Sequence, residues 1–192
     1  MNNILFIGSR GYLGKYIIDG NTKYNIIEFE GRVEELSNFE KYLNIKFAQI
    51  WHFGTPNNKD ANLSSMISGL HNAINFANLK NIKLVYASSV ESLKTTNINI
   101  YGKIKKQSNV IITNSCNKYM ILMIPRVYSL DRNDGLIGAI KENKKLDLDK
   151  VMMYLHISEF VKQFYNAITQ NKIYHFKHLL KKKIYKIREW VL

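Results

Sequence analysis

Cysteine is nearly absent from this chain: Cys116 stands alone in 192 residues, so no internal disulfide can form. A lone thiol fits a reducing cytoplasm. Long apolar runs are also missing. None approaches the roughly 20 residues of a membrane span, which argues against a membrane protein. The N-terminus enters an apolar strand-like run at once, so no leader peptide is expected. No metal-ligand spacing and no internal repeat occurs, and no metal is expected. Acidic residues are scarce: 15 Asp and Glu face 28 Lys and Arg, a net charge of +13. Such a balance favours anionic partners such as nucleotides, phosphorylated sugars or nucleic acid. The densest cluster is Lys177, Lys181, Lys182, Lys183, Lys186 and Arg188. It reads more readily as a solvated helix face than as a nucleic-acid site. Apolar content is ordinary at 46%, and the length gives one domain with a sizeable core.

What is present begins at residue 3. Ile4 to Ile7 form the short apolar run of a fully buried parallel strand. Gly8, Gly11 and Gly14 follow at the spacing G-x-x-G-x-x-G, and Leu13, Ile17 and Ile18 then recur at helical spacing. Strand, glycine turn and helix make the layout of a dinucleotide site. The first glycine permits the tight turn, the second lets backbone approach a pyrophosphate, and the third lets helix pack on strand. The backbone of Ser9, Arg10, Gly11, Tyr12 and Leu13 would carry the phosphates at the positive end of the helix. The plain alternative is a strand-turn-helix with no ligand.

Residues 25–29 read as a second strand, with Glu28, Glu30 and Arg32 at its end. A carboxylate there binds the adenosine ribose 2′-hydroxyl, whereas an arginine tolerates a 2′-phosphate. Glu28 and Glu30 argue for NAD; Arg10 and Arg32 argue for NADP, which is slightly favoured. Residues 33–43 look helical. Residues 47–53 read as a third strand, closed by Gly54-Thr55-Pro56. Phe53, Gly54 and Thr55 should then lie beside the cofactor. His52 is either part of that edge or a core histidine, the second being preferred. Residues 61–79 form a long helix, and 82–87 a fourth strand ending in Ser88-Ser89.

Tyr101 and Lys105 stand at i and i+4, one face of a helix. Alone, such a pair means little. Beside a serine at a strand end it changes meaning. A tyrosine hydroxyl near an ammonium has its pKa lowered and can exchange protons with an alcohol or carbonyl near neutral pH.

Taken together, Gly8-x-x-Gly11-x-x-Gly14, Ser88-Ser89 and Tyr101-x-x-x-Lys105 resemble the extended short-chain dehydrogenase/reductase superfamily, the NAD-dependent epimerases, dehydratases and reductases of sugar nucleotides. Ile50 to Gly54, Leu84 to Ser89, Leu122 to Ser129 and Tyr154 to Glu159 match further segments in order. Gly31 to Glu34 is weakly similar to the nucleotide-rhamnose-type 4-keto-sugar reductases. The resemblance implies an α/β, Rossmann-type doubly wound fold: a seven-strand, mostly parallel sheet, helices on both faces and a minimal C-terminal lobe. One domain would span 1–192, with a reduced substrate lobe from about 130–150 and 166–192.

The resemblance further implies hydride transfer on a nucleotide-activated sugar by an NAD(P)-dependent oxidoreductase or epimerase. Ser89 takes the catalytic serine slot, Tyr101 becomes the general acid/base, and Lys105 assists it and binds the nicotinamide ribose. Ser88 and Arg126 are substrate candidates; Arg126 is equally readable as a structural ion pair. A homodimer through the helices 61–79 and 101–117 is implied. The pattern breaks in four places. The chain is short for the family, Met66 and Arg126 replace asparagines, and Ser89 and Tyr101 stand unusually close. The short lobe leaves a second reading, a non-catalytic NAD(P)-binding module or partner subunit.

Overall fold

The computed structural model describes residues 2–54, 63–132, 135–149, 151–177 and 179–191, without the side chains of 63, 135, 152, 185 and 190. In chain order the first half runs β1 (Asn2–Ile7), α1 (Tyr12–Asp19), β2 (Tyr24–Glu28), a 3-10 helix (Leu36–Tyr42), β3 (Gln49–His52), α2 (Leu63–Leu79) and β4 (Lys83–Ser89). A second 3-10 helix (Val90–Leu93) leads into α3 (Ile100–Ser115), β5 (Tyr119–Ile124), β6 (Arg126–Tyr128) and α4 (Gly135–Lys141). The chain continues through β7 (Val151–His156), α5 (Ile157–Ala167), β8 (Lys172–His175), β9 (Leu180–Lys183) and α6 (Ile184–Val191).

Six strands pair in parallel in the order β2-β1-β3-β4-β5-β8. Parallel strands are buried on both faces, which is why β1 is apolar throughout its second half. Its side chains alternate between two cores. Ile4 and Phe6 join Trp51, Val85, Phe160 and Phe164 on the α1–α5 side. Leu5 and Ile7 join Ile50, Tyr86, Leu70 and Ile112 on the α2–α3 side. Each fully buried Ile, Leu or Phe contributes about 1.5–3 kcal/mol. The doubly wound α/β fold expected from the sequence is therefore the fold observed.

Three expectations about elements need correction. The large sheet has six strands among the described residues rather than seven. Arg126–Tyr128 turns away to pair with β7, which pairs with β9, in a separate three-stranded sheet. That small sheet and α4 and α6 share their own core of Tyr128, Ile137, Ile140, Tyr154 and Ile187. Residues 33–43 hold a 3-10 helix over Leu36–Tyr42 instead of an α-helix. Burial of Phe39 and Tyr42 under the sheet holds it, with Phe39 against Phe29 and Phe76. The lysine cluster is only partly helical, since Lys181, Lys182 and Lys183 lie on β9. No helix among the described residues is long and apolar enough to cross a membrane.

Candidate dinucleotide cleft and active site

The large sheet reverses direction of growth between β1 and β3, β2 lying on one side and β4 on the other. Ligands of open α/β sheets bind in the crevice at the carboxyl ends of such strands. Here that crevice is lined by glycine. Gly8 follows β1 with φ +86°, and a Cβ on it would sit 2.5 Å from the Gly54 nitrogen after β3. Gly14 in α1 lies so close to the Ser9 carbonyl that a Cβ would overlap it. Gly11 caps α1 without any side-chain hydrogen bond, and no acidic residue stands in the first turn. The helix thus presents backbone N–H groups and its positive end to the crevice, a surface suited to phosphate. Thr55, also expected here, lies outside the described residues, as do Pro56 and Ala61. Phe53 packs edge-on to Phe6 at 5.5 Å.

At the end of β2, Ser9 Oγ donates to Glu28 Oε2 at 2.5 Å. Arg10 Nε lies 3.6 Å from the same oxygen. Glu30 instead pairs with Lys41 at 3.1 Å. Arg32 accepts from Asn38 Nδ2 through its carbonyl, its side chain being exposed.

Of the expected catalytic residues, Tyr101 and Lys105 come from α3 and Ser89 from the end of β4. Asn99 Oδ1 accepts from Gly102 N at 2.7 Å and so starts α3 at Ile100. Tyr101 and Lys105 then fall on one face. Lys105 is 2% exposed. A buried ammonium must be hydrogen-bonded, and Lys105 Nζ donates to Ala87 O at 2.5 Å and to Tyr86 Oη at 3.2 Å. It lies 4.5 Å from the Tyr86 ring centroid and 5.6 Å from that of Tyr101. The lysine thus ties α3 to β4 and holds a cation under the half-buried Tyr101.

Ser89 ends β4 and caps the following 3-10 helix, accepting from Glu91 N at 3.2 Å. Ser92 Oγ donates to Ser89 O at 2.6 Å, and Asn109 Nδ2 of α3 donates to Ser92 Oγ at 3.1 Å. Close contact of α3 with this turn needs Gly102, whose Cβ would meet the Glu91 carbonyl at 3.0 Å. Tyr86, Ser92 and Asn109 were not singled out by sequence reasoning. Only their spacing from Ser89 and Lys105 could have pointed to them.

Ser88 is 2% exposed and its Oγ has no hydrogen-bond partner among the described residues. By strand alternation it shares the α2–α3 side with Tyr86. His52 is the core histidine favoured by the sequence: it is 3% exposed, edge-on to Tyr86 at 5.6 Å, with neither ring nitrogen bonded among the described residues. Burial, then the nearby Lys105 charge, pushes its pKa down to about 3. Arg126 is exposed at the start of β6, and its charge acts on the Tyr154 phenol, whose pKa burial nevertheless raises.

A polar cluster that the sequence did not reveal joins α1 to the segment after β6. Tyr12 Oη and Ser129 Oγ share a hydrogen bond of 2.7 Å. Tyr16 donates to the Asp131 carboxylate and lies 3.4 Å from Ser129 Oγ. The Arg132 guanidinium stacks over the Tyr12 ring, 4.1 Å from its centroid, and donates to Val127 O at 3.4 Å. Hydrogen bonds from Ser129 and Tyr16 hold the Asp131 pKa below its ordinary value. Among the described residues no group of His, Cys, Asp and Glu could hold a metal ion.

No family model matches the sequence, and no curated protein matches it by sequence. Solved structures do match the fold. Bordetella bronchiseptica WbmG, crystallised with NAD, superposes with a TM-score of 0.81 at 16% identity, covering 99% of this chain and 77% of that one. The dTDP-4-dehydrorhamnose reductase of Bacillus anthracis, in complex with NADP, gives 0.82 at 18% identity over 100% of this chain and 80% of that one. The Thermus thermophilus UDP-glucose 4-epimerase, in complex with NAD, gives 0.76 at 12% identity over 98% and 82%. The chain therefore has the Rossmann-type fold of these sugar-nucleotide reductases and epimerases, the fold that its motif order resembles.

Proposed function

We propose that this chain is an NAD(P)-dependent oxidoreductase or epimerase acting on a nucleotide-activated sugar. The observation that carries the reading is Lys105: a buried ammonium fixed to the strand that ends in Ser88-Ser89, beneath Tyr101. A buried cation is costly to maintain, and its use is to favour an anion beside it. Gly8, Gly11 and Gly14 fit a dinucleotide, because the space their missing side chains leave is bounded by backbone. With Ser9 to Leu13 they would hold its diphosphate. When bound, the nicotinamide supplies or accepts the hydride.

The chain's own residues do the rest. Ser89 orients the sugar oxygen. Tyr101 gives its hydroxyl proton to that oxygen during reduction, or takes it during oxidation. Lys105 stabilises the charge that Tyr101 develops and binds the nicotinamide ribose. The exposed Arg126 meets a phosphate of the nucleotide sugar, and Ser88, on the same face of β4 as Tyr86, supports the same site. At the adenosine end, Glu28 is fixed by Ser9 and takes up Arg10. A 2′-phosphate would meet that carboxylate, so this geometry shifts the reading from NADP toward NAD.

The test is a panel of 4-keto and 4-hydroxy nucleotide sugars, read by nicotinamide absorbance and by product analysis for redox-neutral conversion. Tyr101→Phe should reduce turnover at least about 100-fold while cofactor affinity stays near wild type. Retention of most activity would remove Tyr101 from the mechanism. The second reading is a non-catalytic NAD(P)-binding subunit, to be separated from the first by substrate binding. A nucleotide sugar that raises the melting temperature beyond the cofactor's own effect speaks for the enzyme. We further infer a homodimer through α2 and α3, where Leu79, Ile100 and Val110 are exposed.

A further inference from the structure

We propose that Asn109 is a positioning residue for the reaction: through Ser92 it ties the turn that carries Ser89 to the face of α3 that carries Tyr101. The inference rests on the enzymatic reading and adds a residue to it. Tyr101, Lys105 and Asn109 stand at successive i, i+4 positions, so one stripe of α3 holds all three. Asn109 Nδ2 donates to Ser92 Oγ at 3.1 Å, and the Ser92 hydroxyl donates onward to Ser89 O at 2.6 Å. Ser92 is 4% exposed, and its oxygen lies 3.7 Å from Met123 Sδ of β5. In so apolar a setting each bond of the chain is stronger than in water, and each polarises the other. Asn109 Oδ1 is buried with no hydrogen-bond partner among the described residues. An orphaned amide oxygen costs stability, so stability alone gives no reason for an amide at this position.

The chain of bonds has a fixed direction. An amide N–H can only donate, so the Ser92 oxygen accepts from Asn109 and its single proton goes to the Ser89 carbonyl. Ser89 is thereby held twice: its carbonyl by Ser92, and its Oγ by Glu91 N at 3.2 Å. The turn touches α3 at a second place, where the Glu91 carbonyl lies against Gly102. Gly102 and Asn109 are about two helical turns apart. One contact would let the turn pivot on the helix; two contacts so spaced fix its angle. Lys105 ties α3 to the strand before the turn, at Tyr86 and Ala87, so the orientation of Ser89 is left to the contacts beyond it. Ser89 and Tyr101 come from different elements, and the proposed proton transfer needs both within reach of one sugar oxygen. The Asn109–Ser92 link keeps that pair at one separation.

The test compares wild type with Asn109→Leu, Ser92→Ala and the double variant. Each is assayed with the panel sugar that wild type converts fastest, for kcat, for the NADH dissociation constant and for melting temperature. The proposal predicts that either single change lowers kcat about tenfold or more, with NADH affinity nearly unchanged. Asn109→Leu should melt no lower than wild type. The double variant should lose no more kcat than the worse single one, because both act through one link. Wild-type kcat in either single variant overturns the proposal. So does a multiplied loss in the double variant, which would separate Asn109 from Ser92. Parallel losses of kcat and NADH affinity with a lower melting temperature, or an Asn109→Leu chain that does not fold, assign the pair to packing alone and overturn it as well. A panel without turnover by wild type removes the enzymatic reading, and this inference with it; turnover that the variants leave intact removes only the inference.

Discussion

Glu28 carries two jobs that pull against each other. Its carboxylate receives the Ser9 hydroxyl and lies beside Arg10, and in the proposed binding mode it also meets the adenosine ribose. Replacing it should separate the two. Glu28→Ser leaves Arg10 without its carboxylate and takes a negative charge away from the 2′ position. The ratio of dissociation constants, NADPH over NADH, should fall at least about tenfold; an unchanged ratio would leave cofactor choice to other residues. His52 gives a pH prediction. Its folded pKa, about 3, lies below the ordinary value of 6.5. The unfolded chain therefore binds a proton that the folded chain refuses between those limits. Stability is fully present above about 6.5 and falls as pH drops toward 3, by up to about 1.4 kcal/mol per pH unit from this residue. Denaturant melts from pH 7 to 4 should show a shallower slope for His52→Phe than for wild type.

Among the elements, α3 is the one that carries the proposed acid/base pair, Tyr101 and Lys105. Its C-terminal half, Val110 to Thr113, is β-branched and disfavours helix, yet the helix runs to Ser115 because Ile112 is fully buried against the sheet. Its N-terminus is pressed on the Ser89 turn through Gly102. Gly102→Ala should push Tyr101 away from Ser89. The expected result is a loss of about 1–3 kcal/mol of stability and a larger relative fall in kcat than in cofactor affinity. Wild-type turnover in that variant would deny α3 its positioning role.

β1, the glycine turn and β4 were legible because apolar run, turn chemistry and length agree there. Leu36–Tyr42 was misread because Leu36, Phe39 and Leu43 have helical spacing, while only the aromatic packing of Phe39 and Tyr42 fixes the tighter 3-10 form. The seventh strand of the main sheet was expected from the family resemblance, and Arg126–Tyr128, within the matched segment Leu122 to Ser129, leaves that sheet instead. Its departure at Pro125 depends on β7, which is distant in sequence. The Tyr12–Ser129–Arg132 cluster was illegible for the same reason: its members are far apart along the chain and have no shared motif.

At the scale of the molecule, one sheet provides the cleft and a second, smaller sheet stands beside it. The net charge of +13 suits an anionic ligand but does not identify one. A homodimer through α2 and α3 would bury Ile100 and Val110; sedimentation equilibrium should then give twice the chain mass, and Val110→Glu should return the monomer. The central claim is that the glycine cleft receives a nicotinamide dinucleotide with its ring at Tyr101. Titration with NADH and with NADPH, followed by nicotinamide fluorescence, tests it most directly. The account predicts saturable binding of one molecule per chain, displaced by ADP-ribose. No saturable change with either nucleotide at millimolar concentration would contradict it.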